Sequence, residues 1–567
     1  MSDDAISPYT LSSDAGDAAD GADRRHAFWA DQIADVVLDR DPDEPIVVKG
    51  GISPSGVPHL GNMNEVMRGY FVAEVLRERG YDVRQVFTSD DRDPLRKLPR
   101  KLADLEGNLV DLGDVDAGAL GRNLGHPYTA IPDPFGCCDS YGAHFSNLIQ
   151  SGADALGVPI ELVSNTDLYE DGDFEAVTRY VLEHVDEARE VLREYQDKVD
   201  DDYVPFNPIC EECGKVTETV TAIRASEDEV DYACTDMEAG DQVISGCGHE
   251  GTASLREGKL PWRFEWPAQW QVLGVDFEPF GKDHAEGSWP SGDDVARNLL
   301  GNEPPVPMVY EWFTLDGEPF SSREGHVVLV DDVLDLLEPE VLRFFFAKNP
   351  KKARDFPLSR LDQLVDEFDR FEAIYYGEVE ASEDERERAE RVYPFLVDHL
   401  DPGTAPADAP AEERPTRVPY TFAAVLGMFP DHDVRVEHAV KQGHLPENPS
   451  DAVVERAFER VERARTWASR QDNEYNYTVL EELPDVDFDA ETEAALDDLA
   501  EFAAAGHDGE AIQGEIYETA KANDIPIGDF FGAGYELFFG EQEGPQLGQF
   551  LGKLEQEFVV QRLRREA

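Results

Sequence analysis

One segment limits the folds open to this chain more than any other. Residues 46–49 form a short apolar run, and a turn-rich loop with Gly50, Gly51, Pro54, Gly56 and Pro58 follows. Residues 62–79 then carry apolar side chains at helical spacing (Val66, Tyr70, Val72, Ala73, Leu76), Gly80 ends the run, and residues 83–88 are again β-rich. Strand, glycine- and proline-rich loop, helix and strand in that order make a βαβ unit. A βαβ unit requires a parallel sheet with helices on its faces, an α/β fold of Rossmann type whose ligands sit at the carboxyl ends of the strands.

The rest of the chain divides around that unit. Residues 23–38 read as a helix, with Phe28, Trp29, Ile33, Val36 and Val37 at about 3.6-residue spacing. The α/β pattern resumes through residues 277–280, 295–300 and 308–313, whereas residues 205–251 change to cysteines, glycines and short β-rich pieces. From about Pro357 onward strand patterns nearly vanish and charged helical segments dominate (362–376, 381–400, 451–470), interrupted at 401–419 by a proline-rich linker or long loop. The expected layout is an acidic segment and helix (1–40), a Rossmann-type domain (41–355) holding a cysteine-rich insertion (205–251), and an all-α C-terminal domain (356–567).

Charge adds the cellular setting. Asp and Glu number 121 against 50 Lys and Arg, a net charge of −71, and only 13 of the cations are lysine. Self-repulsion of that size opposes compaction in ordinary salt, and at molar salt the Debye length shrinks to about 3 Å. The acids run along the whole chain, as expected for a salt-adapted cytoplasmic protein, and net charge therefore says nothing against a nucleic-acid partner. No apolar run approaches membrane-spanning length, and residues 1–23 lack the basic and apolar regions of a signal peptide.

The chemistry begins in the first loop, Ser53-Pro-Ser55-Gly56-Val-Pro-His59-Leu-Gly61-Asn62. A phosphate needs backbone N–H groups at a helix start with no side chain in the way, which Gly56 and Gly61 allow. His59 and Asn62 add neutral donors for an oxygen that gains charge in a transition state. A second element, Phe280-Gly281-Lys282-Asp283-His284, closes a β-rich run; Gly281 permits a nucleotide to approach and Asp283 suits ribose hydroxyls. Cys210-x2-Cys213, Cys234 and Cys247 have the spacing of a closed tetrahedral zinc site, structural and not catalytic, with His249 as an alternate ligand. The adjacent Cys137 and Cys138 read as packing residues.

The H-x-G-N form of the first loop resembles the HIGH motif of class I aminoacyl-tRNA synthetases. Together with GGISPSGVPHLGN, FTSDDRDPLRK and FGKDHA, most of the chain resembles the class I lysyl-tRNA synthetases of archaeal type, and its acidity suits a haloarchaeal member. The resemblance implies a Rossmann-type synthetase domain, a zinc-ribbon-like insertion and a helical anticodon-binding domain. It implies a lysine–tRNA ligase that uses ATP with Mg2+, a structural Zn2+, lysine and tRNA(Lys), with activation dependent on bound tRNA. Ser55, Gly56, Gly61, Gly281 and Asp283 would then bind ATP, and His59 and Asn62 would stabilise the transition state. Pro319-Phe320-Ser321-Ser322-Arg323-Glu324-Gly325 aligns with the KMSKS loop, with Pro319 and Glu324 where lysines stand in the family, so Ser321, Ser322 and Arg323 carry that role here. Gly51 and Ser53 lie where the family binds the amino acid, and Trp262, His284 and Tyr310 resemble its pocket residues. Glu65, on the face of the helix that follows His59, is the expected partner of the lysine ammonium.

For tRNA the expected cations are two clusters, Arg92, Arg96, Lys97, Arg100 and Lys101, and Lys348, Lys351, Lys352 and Arg354, with Tyr475 and Tyr477 as possible stacking rings. The rival readings are another class I specificity such as glutamyl, which wants a basic and not an acidic pocket, a small-molecule adenylyltransferase, and a non-enzymatic RNA-binding paralogue.

Overall fold

The computed structural model describes residues 7–11, 26–197, 199–240, 242–320, 327–410 and 414–566. Helix α1 (Trp29–Leu38) buries Ala30, Ile33, Ala34 and Val37, the face given by its 3.6-residue spacing. Strand β1 (Ile46–Ile52), helix α2 (Met63–Glu78) and strand β2 (Val83–Ser89) form the expected βαβ unit, with β1 and β2 parallel from Ile46–Val83 to Ile52–Ser89. Helix α3 (Tyr141–Ala155) precedes β3 (Glu161–Ser164), and helix α4 (Trp262–Leu273) precedes β4 (Phe277–Gly281) and β5 (Val306–Tyr310).

The five strands form one parallel sheet in the order β5-β4-β1-β2-β3. The chain runs outward from β1 through β2 to β3, then returns on the other side of β1 with β4 and β5. The order therefore reverses between β1 and β4, and the crevice at the carboxyl ends of those two strands is where such a sheet takes its ligands. Helices cover both faces, so the strands read as nearly continuous apolar runs. Lys49 in β1 and Glu278 in β4 break that rule, and both are buried.

The cysteine-rich insertion is built on an antiparallel sheet of Val220–Arg224, Glu229–Ala233 and Glu250–Ser254. Phe313–Leu315 pairs with Glu318–Pro319 and, in parallel, with Arg354–Phe356.

The described residues divide into two compact units. One takes those up to 332 together with 342–358 and 374–407; the other takes 333–341, 359–373 and 408–566. The division differs from a single boundary at 356, and ion pairing gives the reason for part of it. Arg391, in the helix Glu383–Val392, pairs with Asp31 of α1 and Glu78 of α2, both at 2.6 Å, which ties that helix to the first unit. The second unit is helical, with no strand among its described residues. Its core joins Leu496, Leu499, Ile512, Ile516, Phe530, Leu537, Phe538, Phe550 and Leu551, and Tyr475 and Tyr477 pack against it. Among the described residues no helix is long and apolar enough to cross a membrane.

Candidate active site

The loop after β1 leads into a short 3₁₀ turn, Leu60–Asn62, which His59 caps. His59 Nδ1 accepts the Gly61 N–H at 3.0 Å and the His59 N–H donates to Asn62 Oδ1 at 2.9 Å. This reciprocal cap fixes the imidazole tautomer: with Nδ1 an acceptor, the ring proton sits on Nε2. Burial pulls the His59 pKa down to about 4, so the ring is a neutral donor at physiological pH. Phe320 stacks on it at 5.1 Å and 16°. Asn62 spends its carbonyl on the cap and keeps its amide N–H groups for a ligand.

His59 and Asn62 line a cleft of about 650 Å³ with Ser55, Gly56, Tyr128 and Phe320. Arg96, Lys97, Arg100 and Lys101 line it as well, so four of the five cations expected as the first cluster share the cleft with the loop after β1. The fifth does not. Arg92 is 3% exposed and holds the segment just after the insertion, donating to the Gly258 and Arg256 carbonyls while it lies over the Tyr169 ring. In the second expected cluster Lys348 is buried against Phe344, whereas Lys351 and Lys352 are exposed.

A smaller pocket of about 210 Å³ adjoins the cleft, sharing Ile52, Ser53 and Asp93 with it. Gly51, Glu65, Asp90, Trp262, Trp266, Glu278 and His284 line it. A Cβ at Gly51 would strike Thr88 Oγ1, so only glycine fits there. Glu278 on the floor accepts from Lys49 Nζ at 2.7 Å, from Trp266 Nε1 at 3.0 Å and from Trp270 Nε1 at 2.5 Å. Glu65 accepts the Gly51 N–H at 3.1 Å, and burial, followed by the charge of Glu65, holds the Tyr310 hydroxyl well above its usual pKa. Burial, then the charge of Glu278, pushes the Glu65 pKa up to about 8. Burial does the same to Asp90, also to about 8. Trp262 stacks on Trp266 at 5.4 Å, and His284, held by Ser288 at 2.9 Å, closes the wall. The pocket is thus an aromatic slot ending in carboxylates, suited to a cation on an apolar stem.

Gly51, Ser53, Glu65, Trp262 and His284 therefore come together in the pocket lining, with Tyr310 outside it and near enough to Glu65 to feel its charge, and Ser55, Gly56, His59 and Asn62 come together in the cleft; Gly61 is in the same loop, its N–H bound to His59. Gly281 and Asp283 lie outside both linings, at the carboxyl end of β4, with Asp283 exposed. A Cβ on Gly281 would sit 3.6 Å from Trp312 Nε1, and the Trp312 ring is 59% exposed. Ser321, Ser322 and Arg323 lie outside the described residues.

The sequence reading missed Lys49, Glu278, Asp90, Trp312 and Phe320. A signal existed for the first two: a charged residue inside an apolar run of a fully covered strand has to be paired.

The Sγ atoms of Cys210, Cys213, Cys234 and Cys247 all lie within 4.8 Å of one another, with Cys210–Cys247 at 3.7 Å and Cys213–Cys234 at 3.6 Å. His249 stays apart from them, its Nε2 2.9 Å from Glu211. The expectation for Cys137 and Cys138 needs correcting. Cys137 is exposed and Cys138 only partly covered, because both sit in the loop before α3 and turn toward polar groups, not into a core.

The chain matches, over residues 27–397, the family model described as tRNA synthetases class I (K). It is 69% identical over 552 residues to the lysine–tRNA ligase of Halobacterium salinarum, covering 97% of this chain and 98% of that protein. The lysine–tRNA ligase of Haloarcula marismortui is 66% identical over 540 residues, covering 95% and 97% of the two chains. That of Pyrococcus horikoshii is 32% identical over 558 residues, covering 95% and 99%.

Proposed function

The chain belongs to the family of tRNA synthetases class I (K), and from that premise we propose that it is a lysine–tRNA ligase. The lysine carboxylate attacks the α-phosphorus of ATP and pyrophosphate leaves. The 3′-terminal ribose hydroxyl of tRNA(Lys) then attacks the lysyl carbonyl carbon and AMP leaves.

One observation carries this reading. A cleft with neutral donors and four cations opens at Ser53 into an aromatic pocket floored by carboxylates. The triphosphate lies in the first and the lysine side chain in the second, so the carboxylate and the α-phosphate meet at the seam. His59 Nε2–H and the Asn62 amide donate to oxygens that gain charge, and their fixed cap means they need no reorganisation at the moment of reaction. Ser55, Gly56 and Gly61 let the phosphates approach the backbone, and Mg2+ accompanies ATP. Gly281 and Asp283 hold the adenosine, with Trp312 beside them, and Ser321, Ser322 and Arg323 act on the leaving pyrophosphate. Glu65 pairs the ε-ammonium while Tyr310, Trp262 and His284 enclose its stem and Gly51 and Ser53 line the approach. Arg96, Lys97, Arg100 and Lys101 contact phosphates of ATP or of the tRNA end.

Glutamyl specificity is disfavoured by the same pocket, since Glu65, Asp90 and Glu278 would face a substrate carboxylate. The four clustered cysteines suit a structural Zn2+, which would brace the insertion as a closed tetrahedral centre. The protein works in the cytoplasm at high salt. Pyrophosphate exchange in molar KCl, with a panel of amino acids and with or without tRNA, tests the reading. Exchange with lysine alone among them, dependent on tRNA, is expected; exchange with glutamate, or none, overturns it.

A further inference from the structure

The cation wall of the cleft has no regular structure of its own. Residues 95–100 form neither helix nor strand, so the backbone that carries Arg96, Lys97 and Arg100 takes its course from the groups it is bonded to. Those bonds lead into the cysteine-rich insertion. We propose that the insertion is a positioning module for the cleft, in which Val216 and Gln242 set where Arg96 stands and so how tightly phosphates are held. The inference rests on the reading of that cleft as the triphosphate site.

The first support is a run of backbone bonds from the cysteine knuckle. The Cys210 N–H donates to the Lys215 carbonyl at 2.8 Å, and the Val216 N–H to the Gly125 carbonyl at 2.9 Å. The Gly125 N–H then donates to the Leu95 carbonyl, and the Leu95 N–H to the His126 carbonyl, both at 2.9 Å. From Cys210 to the residue before Arg96 each step is thus a peptide bond or a backbone hydrogen bond. Gly125 has a φ of +89°, and a Cβ there would lie 2.9 Å from Ile244 Cγ2 and 3.2 Å from Lys215 Cδ. The insertion rests directly on this turn, at a distance that glycine allows.

The second support is the hairpin in which Met237–Ala239 pairs with Gln242–Ile244. The Gln242 side-chain amide donates to the Arg96 carbonyl, and Glu218 receives Arg96 Nη2 at 3.3 Å. Lys215 Nζ ties the knuckle to the hairpin through the Ser245 carbonyl at 2.9 Å. Both ends of one residue, its carbonyl and its guanidinium, are therefore held by the insertion. The Arg96–Glu218 pair is solvated and weak by itself, and it leaves the other donors of the guanidinium for phosphate oxygens.

The exit stem of the insertion grips the same segment from its other end. Lys259 is buried and pairs with Asp93 and, at 2.7 Å, with Glu265. Asp93 belongs to the linings of both the cleft and the aromatic pocket. Residues 92–96 are thus clamped at both stems, so a shift of the insertion moves the cations. Glu65 and Glu278 stand on α2 and β4, outside the clamped segment, and stay in place.

Gln242→Glu tests this, because it keeps the side chain's shape and turns a carboxylate oxygen toward the Arg96 carbonyl. In the full-length protein with tRNA(Lys) in molar KCl, the KM for ATP should rise about 2- to 10-fold, the range of one net hydrogen bond, while the KM for lysine and the urea midpoint stay at native values. Hydrogen exchange followed by mass spectrometry should quicken over residues 94–101 and not over β1. Gln242→Lys restores a donor and should bring the ATP KM back, a rescue that a merely structural role would not give. Arg96→Ala separates the inference from the reading beneath it. A raised ATP KM in Arg96→Ala beside a native one in Gln242→Glu overturns the inference and keeps the reading. A native ATP KM in Arg96→Ala takes Arg96 off the phosphates, and that part of the reading falls with the inference. Equal losses for lysine and ATP in Gln242→Glu, or no rescue by Gln242→Lys, also overturn the inference, since the insertion would then support the fold and place nothing.

Discussion

Glu65 in the aromatic pocket and Glu338 in the helical unit are both withdrawn from water, and burial pushes the pKa of each upward. They end at opposite extremes. Glu65 rises to about 8, because the nearest charge after burial is Glu278 and because Lys49 is already engaged by Glu278 at 2.7 Å. Glu338 falls to about 2, because Arg460 at 2.6 Å and Arg417 at 3.4 Å outweigh its burial. Arg460 is itself fully enclosed and grips Asp369 through both terminal nitrogens, at 2.7 and 3.0 Å. The helical unit pairs Glu338 internally, whereas the pocket leaves Glu65 and Asp90 without an ion pair among the described residues. Under the proposed reading, an incoming ammonium would supply the missing charge.

The largest effect should come from breaking the complete network. Arg460→Leu leaves Glu338 and Asp369 buried with too little compensation and should destabilise the protein by about 3–5 kcal/mol. Urea unfolding in molar KCl measures it, and a loss below about 1 kcal/mol would mean that packing, not pairing, holds this region.

Acid should act on the same network. A carboxyl lowered from its usual 4.5 to about 2 contributes stability above pH 4.5, and that stability disappears as pH falls toward 2. The contribution is on the order of 3 kcal/mol, by the linkage between pKa and stability. Unfolding free energy measured from pH 6 to 3 should drop less steeply in Glu338→Gln than in the native protein.

The incomplete site should respond in function and not in stability. Glu65→Gln should lower kcat/KM for lysine about 10- to 150-fold, the loss of a charge-assisted hydrogen bond of about 1.5–3 kcal/mol. The KM for ATP and the unfolding free energy should hardly move, because the native carboxyl is already neutral in the empty pocket at pH 7. An unchanged lysine KM would remove Glu65 from recognition and direct attention to Asp90.

The smallest effect sharpens the contrast. Below pH 8 the Glu65 proton has to leave when lysine binds, so affinity should improve as pH rises from 6 to 8, by up to about tenfold per unit. Titration calorimetry in buffers of different ionisation enthalpy should show proton release that vanishes in Glu65→Gln.

Much of this was legible in the residues. The βαβ unit, the H-x-G-N cap and the Cys210-x2-Cys213 knuckle are local patterns, fixed by periodicity 2 or 3.6, by glycine placement and by ligand spacing along a few residues. Glu65 was reachable too, since a helix register puts it on the face that follows His59. The vicinal cysteines were misread as packing residues, because nothing near them in the chain shows that their loop leaves Cys137 exposed and turns both N–H groups to Asp133.

The sequence by itself determined the parallel sheet, the capped loop after β1, the helical C-terminal region and the family, because each rests on short-range backbone preference or on contiguous motifs. Tertiary structure alone decided the rest. Lys49 meets Glu278 across 229 residues, and Phe320 reaches His59 from beyond the insertion. It also decided that Glu65 holds a proton while Glu338 does not. Protonation depends on how much water is excluded and which charges remain within a few ångströms, and both are properties of the packed chain that no stretch of sequence carries.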